Sequence, residues 1–197
     1  MRKMGDKSVQ KRKYILETAR KVFMEKGFKK VTMKDIVEAC GISRGGLYLY
    51  FDSTSQIFLE VLKMESQEAD DVFGEGIKDD ATAVDIVLLF LREQKKELLR
   101  KKNTLTQATY EFYFENELPK RDNILKKQFD SAVRIMEKLI EAGVENGEFV
   151  CDDCSGTARN IMFVLEGLKI SAQTIGVTAD MVDREILYIL RNLGVED

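Results

Sequence analysis

The residues best suited to chemistry lie in residues 32–50, TMKDIVEACGISRGGLYLY. Arg44 can donate a pair of hydrogen bonds to the edge of a guanine base, and Ser43 can reach a base or a phosphate. The hydroxyls of Tyr48 and Tyr50 can bond phosphate oxygens. Together these groups are typical of a surface that recognises DNA.

Glycine and lysine residues in and before this segment fit the same chemistry. Gly45 and Gly46 cost about 0.8–1 kcal/mol each relative to alanine in a helix interior, which indicates that another surface approaches the backbone closely there. Lys29, Lys30 and Lys34 would neutralise phosphates on the same face. A DNA backbone or base edge would account for both observations.

The distribution of charge supports a polyanionic partner for the first part of the chain. Residues 1–50 hold 13 Lys and Arg against 5 Asp and Glu, a net charge of +8. Residues 51–197 hold 18 against 29, a net charge of −11. A basic head on an acidic body predicts that the head meets nucleic acid while the body meets something else.

Enzymatic and metal chemistry is disfavoured by what the sequence omits. There is no histidine among the 197 residues, so the commonest general base and metal ligand is missing. Cys151 and Cys154 form one Cys-Asp-Asp-Cys motif, but without a histidine or a second cysteine pair they cannot build a closed zinc site in one subunit. We expect no enzymatic activity, no cofactor and no metal, with this motif in an exposed loop.

The chain is expected to be soluble and cytoplasmic. Three cysteines, the third being Cys40, are too few for a disulfide framework, and no signal-peptide pattern opens the sequence. The most apolar stretches, residues 86–91 and 161–168, fall short of the ~20 residues that a membrane crossing needs. No membrane partner is expected.

Composition and local signals predict an all-α fold. The chain contains one proline, a residue that helix interiors exclude. Thr32, Ser43 and Ser53 can cap helices, while Gly27 and Gly41 can end them. Helices are predicted over residues 9–26, 33–40, 43–50, 53–73, 81–101, 105–117, 120–146, 155–175 and 179–193, with residues 74–80 as a linker.

The second and third predicted helices have the form of a helix-turn-helix, which is a short capped helix, a turn with glycine and a second capped helix. The apolar residues that would pack these helices on the first one are Phe23, Phe28, Ile36, Val37, Ile42, Leu47 and Phe51. The alternative is a three-helix subdomain without a DNA partner, in which the tyrosines are core residues and the glycines form turns.

The segment from about residue 10 to residue 62 resembles the TetR family of bacterial regulators. The residues that carry the resemblance are Phe23, Gly27, Phe28, Thr32, Ile36, Ala39, Gly41, Ile42, Ser43, Gly45, Leu47, Tyr48, Tyr50 and Phe51. The resemblance implies a symmetric dimer of all-helical subunits on a palindromic operator in double-stranded DNA. It also implies a small-molecule inducer that binds the C-terminal helices.

By position, the resemblance implies that Lys34 and Arg44 read bases and that Thr32, Tyr48 and Tyr50 hold phosphates. One position departs from the family pattern, because Thr54 stands where members usually carry a lysine that faces the DNA backbone. A neutral hydroxyl can bond a phosphate but releases no counterion. We therefore expect a weaker contact there, with more of the phosphate binding left to other groups such as Lys29.

We expect a helix-turn-helix DNA-binding domain in residues 1–53 and a ligand-binding and dimerisation domain in residues 54–197. The aromatic side chains around residue 112 surround one helix, which suits either an apolar ligand pocket or a core and interface. The candidate pocket residues are Phe90, Tyr110, Phe112, Tyr113, Phe114, Met136, Met162 and Glu166.

The last two predicted helices are the candidate dimer interface, which must be isologous. The apolar residues assigned to it are Val164, Leu168, Ile186, Ile189 and Leu190. Glu166 lies in an apolar run where an unpaired charge would be costly. It is expected either to meet a cationic ligand or to pair with Lys169 or Arg159 across the dimer.

The sequence therefore predicts a sequence-specific transcription regulator, acting as a repressor that a small-molecule inducer releases, with activation as a variant. A first alternative is a helical small-molecule-binding protein or enzyme without a DNA target. A second is a protein-interaction module that uses residues 110–114, which would require an exposed aromatic patch rather than an internal cavity.

Overall fold

The computed structural model describes residues 2–75, 81–100, 104–119 and 123–195, with side chains described outside residues 2–6 and 67–75. These residues form α1 (Arg2–Lys26), α2 (Met33–Cys40), α3 (Arg44–Tyr48), α4 (Thr54–Glu75), α5 (Ala83–Leu98), α6 (Thr106–Glu115), α7 (Ile124–Glu145), α8 (Cys154–Thr174) and α9 (Ala179–Asn192). The predicted all-α fold is confirmed. Most of the predicted linker lies outside the described residues.

The predicted capping residues are found at the helix ends. Thr32 accepts the N–H of Asp35, whose carboxylate accepts the N–H of Thr32 in return, so α2 begins with a capping box. The Ser43 hydroxyl accepts the N–H of Gly46 at the start of α3. At the start of α4, the Ser53 hydroxyl accepts a backbone N–H in the same way.

The first helix is longer than the apolar spacing predicted. It begins at Arg2 rather than near Val9, and it ends before Gly27, which has a φ of +75°. Gly41, with a φ of +62°, ends α2. Both glycines occupy the left-handed region that side chains with a Cβ rarely adopt.

The chain forms two compact units, which we call unit 1 and unit 2. Unit 1 comprises Met1–Ala69 and Lys101–Ile124, and unit 2 comprises Asp70–Arg100 and Leu125–Asp197. Unit 1 therefore contains α6 and most of α4 in addition to α1–α3. The predicted functional division after residue 53 stays a prediction, but the packing units do not follow a single cut in the sequence.

Unit 1 is held together by four interlocking aromatic rings. The ring of Phe58 contacts Phe23, Phe28 and Phe112 at centroid distances of 4.8, 5.2 and 5.2 Å. Phe28 also meets Phe112 edge-on at 4.9 Å. Such pairs contribute about 0.5–1.5 kcal/mol each beyond the burial of their area. Phe112 is thus a core residue of unit 1, which is the alternative that the sequence left open for it.

Unit 2 has a mainly aliphatic core contributed by α5, α7, α8 and α9. Its fully or almost fully buried side chains include Val87, Leu91, Val133, Ile140, Ile161, Leu165, Ile189 and Leu193. The ring of Phe149 lies against the backbone at Gly143, where an added Cβ would overlap the ring. No described helix is long and apolar enough to cross a membrane.

Candidate nucleic-acid interface

The short helix α3 presents one face to the core and one to solvent. Leu47 is fully buried, and so is Ile36 on α2, and these two residues help to seat the helix pair in unit 1. Arg44, Gly45 and Tyr48 are exposed. The guanidinium of Arg44 lies 5.6 Å from the centroid of the Tyr48 ring. The structure therefore brings together three of the predicted DNA-binding residues on one accessible edge.

The hydroxyls of Ser43 and Thr32 are placed differently with respect to DNA. The Ser43 oxygen accepts from Gly46, which leaves its proton able to donate to a phosphate or a base. The hydroxyl and the backbone N–H of Thr32 both donate to Asp35. In this conformation Thr32 serves the start of α2, and a phosphate contact from its hydroxyl would require the capping box to rearrange.

Asp35 is the electrostatic centre of that cap. Lys26 donates to its other carboxylate oxygen at 2.6 Å. The hydrogen bond from Lys26, followed by those from the side chain and backbone of Thr32, holds the pKa of Asp35 well below its usual value. The carboxylate therefore stays ionised and keeps its acceptors available to the start of α2.

The lysines predicted to bind phosphates are not equivalent. The Nζ of Lys29 lies 3.0 Å from a carboxylate oxygen of Glu115 on α6. Lys34 is paired with Glu38 on its own helix, at 3.7 Å and with both side chains exposed. Exposed pairs of this kind are weak, so Lys34 can exchange its partner for a phosphate at little cost. Lys29 is directed toward α6 instead.

The two glycines of α3 also differ. Apart from its chain neighbours and the backbone of its own helix, a Cβ added at Gly45 would meet none of the described atoms within 4 Å, so packing in this part of the protein does not require glycine there. A Cβ added at Gly46 would lie 3.1 Å from the Ser43 hydroxyl oxygen and 3.8 Å from the Nζ of Lys11. The space beside Gly45 is open to an approaching molecule.

Residues of α1 border the same edge and were missed by the sequence analysis. The hydroxyl of Ser8 donates to that of Tyr50 at 3.4 Å, and Lys11 lies near Gly46. Ser8 precedes the apolar pattern from which α1 was predicted, and Lys11 is a polar residue within it. The positive charge of residues 1–50, to which Lys11 contributes, was the signal for this surface in the sequence.

Tyr50 and Thr54 are less accessible than the residues of α3. Tyr50 is half-buried and packs against the core of unit 1, with its hydroxyl reaching Ser8. Thr54 is the first residue of α4 and is also half-buried. Their predicted phosphate contacts would involve only the polar tips of their side chains.

The eight candidate pocket residues fall in both units. In unit 1, Phe112 is core, Tyr110 and Tyr113 are half-buried, and Phe114 is 79% exposed. In unit 2, the structure places Phe90, Met136, Met162 and Glu166, of which the two methionines are buried. Glu166 pairs with Lys169 on its own helix at 3.6 Å. A ligand pocket shared by these residues stays a prediction.

The apolar residues assigned to the dimer interface are mostly turned inward. Ile189 is buried in the core of unit 2, so it offers little surface to a second subunit. The other four, Val164, Leu168, Ile186 and Leu190, are half-buried. The large apolar side chains exposed on these two helices are Phe163 and Ile170 on α8 and Met181 and Tyr188 on α9. Each pair is seven residues apart and therefore lies on one helix face.

The two cysteines of unit 2 are half-buried rather than exposed. The thiol of Cys151 donates to the hydroxyl of Thr157 at 3.3 Å. Burial, followed by the neighbouring Cys151 thiol, raises the pKa of Cys154, which disfavours the reactive thiolate. Among the described residues no group of three or more His, Cys, Asp and Glu side chains is placed to hold a metal ion.

Two family models match the chain on either side of residues 62–85. The model described as bacterial regulatory proteins of the tetR family matches residues 15–61, which contain α2 and α3. The model described as the tetracyclin repressor-like C-terminal domain matches residues 86–183. The chain belongs to the TetR family of bacterial regulatory proteins.

Individual relatives agree with this membership. The HTH-type transcriptional regulator YfiR of Bacillus subtilis is 34% identical over 138 residues, which are 68% of this chain and 66% of that protein. The HTH-type transcriptional repressor AcnR of Corynebacterium efficiens is 37% identical over 62 residues, 32% of this chain and 33% of its own length. The chain thus spans one third to two thirds of these relatives.

A solved structure shows the same fold at low identity. A TetR transcription regulator from Haloarcula marismortui superposes with a TM-score of 0.81 at 14% identity, covering 94% of this chain and 97% of that one. In this TetR-family chain, the match to the tetR-family model begins at residue 15, so it does not include Ser8 and Lys11. The position of these two side chains at the candidate interface is therefore known from the fold and not from the family pattern.

Proposed function

We propose that this protein is a dimeric TetR-family repressor that binds a palindromic operator through α2 and α3 and is released by a small-molecule inducer. The observation that carries the proposal is the exposed edge of α3, where Arg44 and Tyr48 flank the open space beside Gly45. The likeness to the repressor AcnR over 62 residues favours repression. Such a regulator acts on DNA in the cytoplasm.

At the interface, the exposure of each side chain determines which DNA contact it can make. Arg44 reads a guanine edge in the major groove, and the backbone at Gly45 lies close to the DNA. Tyr48, Lys34 and Lys11 bind phosphates, which fixes the register of α3 on the duplex. The hydroxyl of Ser43, whose oxygen accepts from Gly46, can also donate its hydrogen to the DNA. These contacts release counterions, so the affinity depends strongly on salt.

A second copy of the chain supplies the other half-site. The exposed apolar faces of α8 and α9, with Phe163, Ile170, Met181 and Tyr188, would be covered by the same faces of the partner in an isologous four-helix contact. The two copies of α3 would then reach half-sites about 34 Å apart, one turn of the duplex. This pairing uses the solvent-facing side of the helices, not Ile189.

The inducer acts by favouring one arrangement of the dimer over another. A ligand shifts such an equilibrium only if its affinity differs between the two arrangements. Unit 2 offers methionine and aromatic side chains for an apolar ligand, including Phe90, Met136 and Met162. Such side chains favour an apolar organic molecule over an ion.

The test measures binding to the DNA upstream of the protein's own gene across a salt series. We expect the logarithm of the binding constant to fall steeply and linearly with the logarithm of salt concentration. Arg44→Ala should weaken binding about 10- to 100-fold and relax specificity at one base position. Tyr48→Phe should weaken it about 3- to 10-fold, because one phosphate hydrogen bond is lost.

Two further variants separate phosphate contacts from general charge. Lys11→Ala should weaken binding to all sequences alike and reduce the salt slope by about one. Lys138→Ala, which removes an equally exposed charge on α7 of unit 2, should leave both quantities unchanged. A flat salt response of the wild type, or full affinity in Arg44→Ala, would overturn the proposal.

A further inference from the structure

The turn that connects α1 to α2 is held from outside by a side chain of α6. Oε2 of Glu111 accepts the backbone N–H of Lys29 at 3.0 Å, and the carboxylate also receives the N–H of Phe28. These N–H groups lie between two helices, so they have no partner in a helical ladder. The carboxylate supplies the acceptors that the turn lacks.

Gly27 shows how closely the carboxylate and the turn fit. A Cβ added at Gly27 would lie 2.6 Å from Oε2 and 2.9 Å from Oε1 of Glu111. Its φ of +75° independently favours glycine. Two separate features of the turn, its left-handed residue and its space for a carboxylate, therefore depend on the same position.

The carboxylate is itself oriented by its own helix. Gln107, one turn earlier on α6, donates from its side-chain amide to Oε1 of Glu111 at 2.7 Å. Desolvation by burial would raise the pKa of Glu111, but the hydrogen bonds from Lys29, Gln107 and Phe28 together lower it. The next residue, Phe112, is fully buried among the rings of Phe28 and Phe58. The buried neighbour Phe112 thus fixes the backbone of Glu111, and the hydrogen bonds fix its carboxylate.

We infer that Glu111 is a positioning residue for DNA binding, which fixes the turn that leads into α2 without touching the DNA. The inference rests on the proposed DNA-binding function. The turn continues within three residues to Thr32, the cap of α2, and then to Lys34. Without the carboxylate the turn samples other conformations, and the apparent affinity falls by the fraction of molecules whose α2 is correctly placed.

Two variants at position 111 test whether the turn needs an acceptor there. Glu111→Leu removes both carboxylate oxygens, so the N–H groups of Lys29 and Phe28 lose their acceptor. Glu111→Gln removes the same charge but keeps an oxygen that can accept from Lys29. Its NH2 group can donate to the amide oxygen of Gln107 once that exposed side chain turns over.

We expect Glu111→Leu to bind operator DNA about tenfold more weakly than the wild type and Glu111→Gln to stay within about threefold of it. The salt slope should not change, because no phosphate contact is lost. Removal of a negative charge would by itself strengthen binding to DNA, so a loss in Glu111→Leu must come from position. Amide hydrogen exchange at Lys29 should quicken in Glu111→Leu and stay close to that of the wild type in Glu111→Gln.

The matched control is Glu115→Gln, one turn later on α6. It removes the same charge and releases the side chain of Lys29, so we expect binding to be unchanged or tighter. Affinities are measured well below the thermal unfolding midpoint of each variant, with circular dichroism to show that each is folded. A variant that fails to fold is replaced by Gln107→Ala, which leaves the carboxylate unoriented and should weaken binding in the same direction.

The outcomes separate the two proposals. If the wild type binds no DNA, the proposed function fails. If the wild type binds and Glu111→Leu binds equally well, only the role of Glu111 fails. An equal loss in Glu111→Gln also overturns that role, because the acceptor oxygen that this variant keeps would then not be what the turn needs.

Discussion

Unit 1 and unit 2 are both helical, but they are built for different contacts. Unit 1 closes around interlocking aromatic rings and turns a polar, basic edge with Arg44 and Lys11 outward. Unit 2 has an aliphatic core and exposes rows of apolar side chains on α8 and α9. The difference fits the proposal that unit 1 meets DNA, a charged polymer, whereas unit 2 meets a second copy of itself.

The largest expected effect tests whether α6 belongs to the core of unit 1. Phe112→Ala removes a ring that contacts Phe28 and Phe58, and it should lower the free energy of unfolding by about 3–5 kcal/mol. Phe114→Ala, two residues later and 79% exposed, should change it by less than about 0.5 kcal/mol. Urea denaturation followed by circular dichroism measures both.

This pair of variants can also break the comparison. If Phe112→Ala leaves the free energy of unfolding almost unchanged but lowers the affinity for a ligand, Phe112 is a pocket residue rather than a core residue. The aromatic cluster would then not be what holds unit 1 together.

The next effect tests the apolar face of unit 2. Tyr188→Glu places a charge in the proposed interface, twice in each dimer, and should raise the dimer dissociation constant about 100-fold, since an unpaired buried charge is costly. Val150→Glu changes an apolar residue outside these helices that is 75% exposed, against 58% for Tyr188, and it should have no such effect. Sedimentation equilibrium measures the dissociation constants.

A dimer of Tyr188→Glu as tight as the wild type would show that another surface of unit 2 forms the dimer. The same variant should leave the stability of unit 1 unchanged, since Tyr188 lies in unit 2. It should nevertheless weaken operator binding, because a palindromic site needs two linked copies of α3.

The smallest effect is a dependence of stability on acid in unit 1. The hydrogen bond from Lys26, followed by those from Thr32, lowers the pKa of Asp35 in the folded protein. The folded pKa lies below the unfolded one, so this contribution to stability is present above about pH 4 and is lost as the pH falls toward the folded value. Asp35→Asn should remove this part of the acid dependence, and Lys26→Ala should reduce it.

Thermal unfolding between pH 5 and pH 2.5 gives the measurement, because a lowered carboxyl pKa acts in that range. Equal slopes of stability against pH in the wild type and Asp35→Asn would contradict the assignment.

The helix-turn-helix could be predicted in detail because its signals are local. A capping hydroxyl such as Thr32 or Ser43 bonds a backbone N–H three residues later, and a glycine such as Gly41 ends the helix that precedes it. Neither interaction needs a distant part of the chain. The same locality explains why the ends of most helices were predicted to within a few residues.

The roles of α6 and of the exposed helix faces could not be predicted in this way. Apolar periodicity shows that Phe112 faces a core, but not which core, because its partner Phe58 lies 54 positions earlier in the sequence. It also cannot show which of the apolar residues of α8 and α9 are covered within the subunit. Ile189 and Tyr188 are adjacent and both apolar, yet only Ile189 is buried.

The sequence by itself therefore determined the helical fold, the caps of α2, α3 and α4, the exposed Arg44 and Tyr48, and membership of the TetR family. Only the tertiary structure decided that α6 packs in unit 1, that Lys29 faces Glu115 and that Glu111 holds the turn after Gly27. The physical reason is the separation in sequence between the residues that interact. Caps and turns are satisfied within a few residues, whereas the core contact of Phe58 with Phe112 spans 54 positions and the contact of Lys29 with Glu111 spans 82, and no local pattern encodes which segments meet.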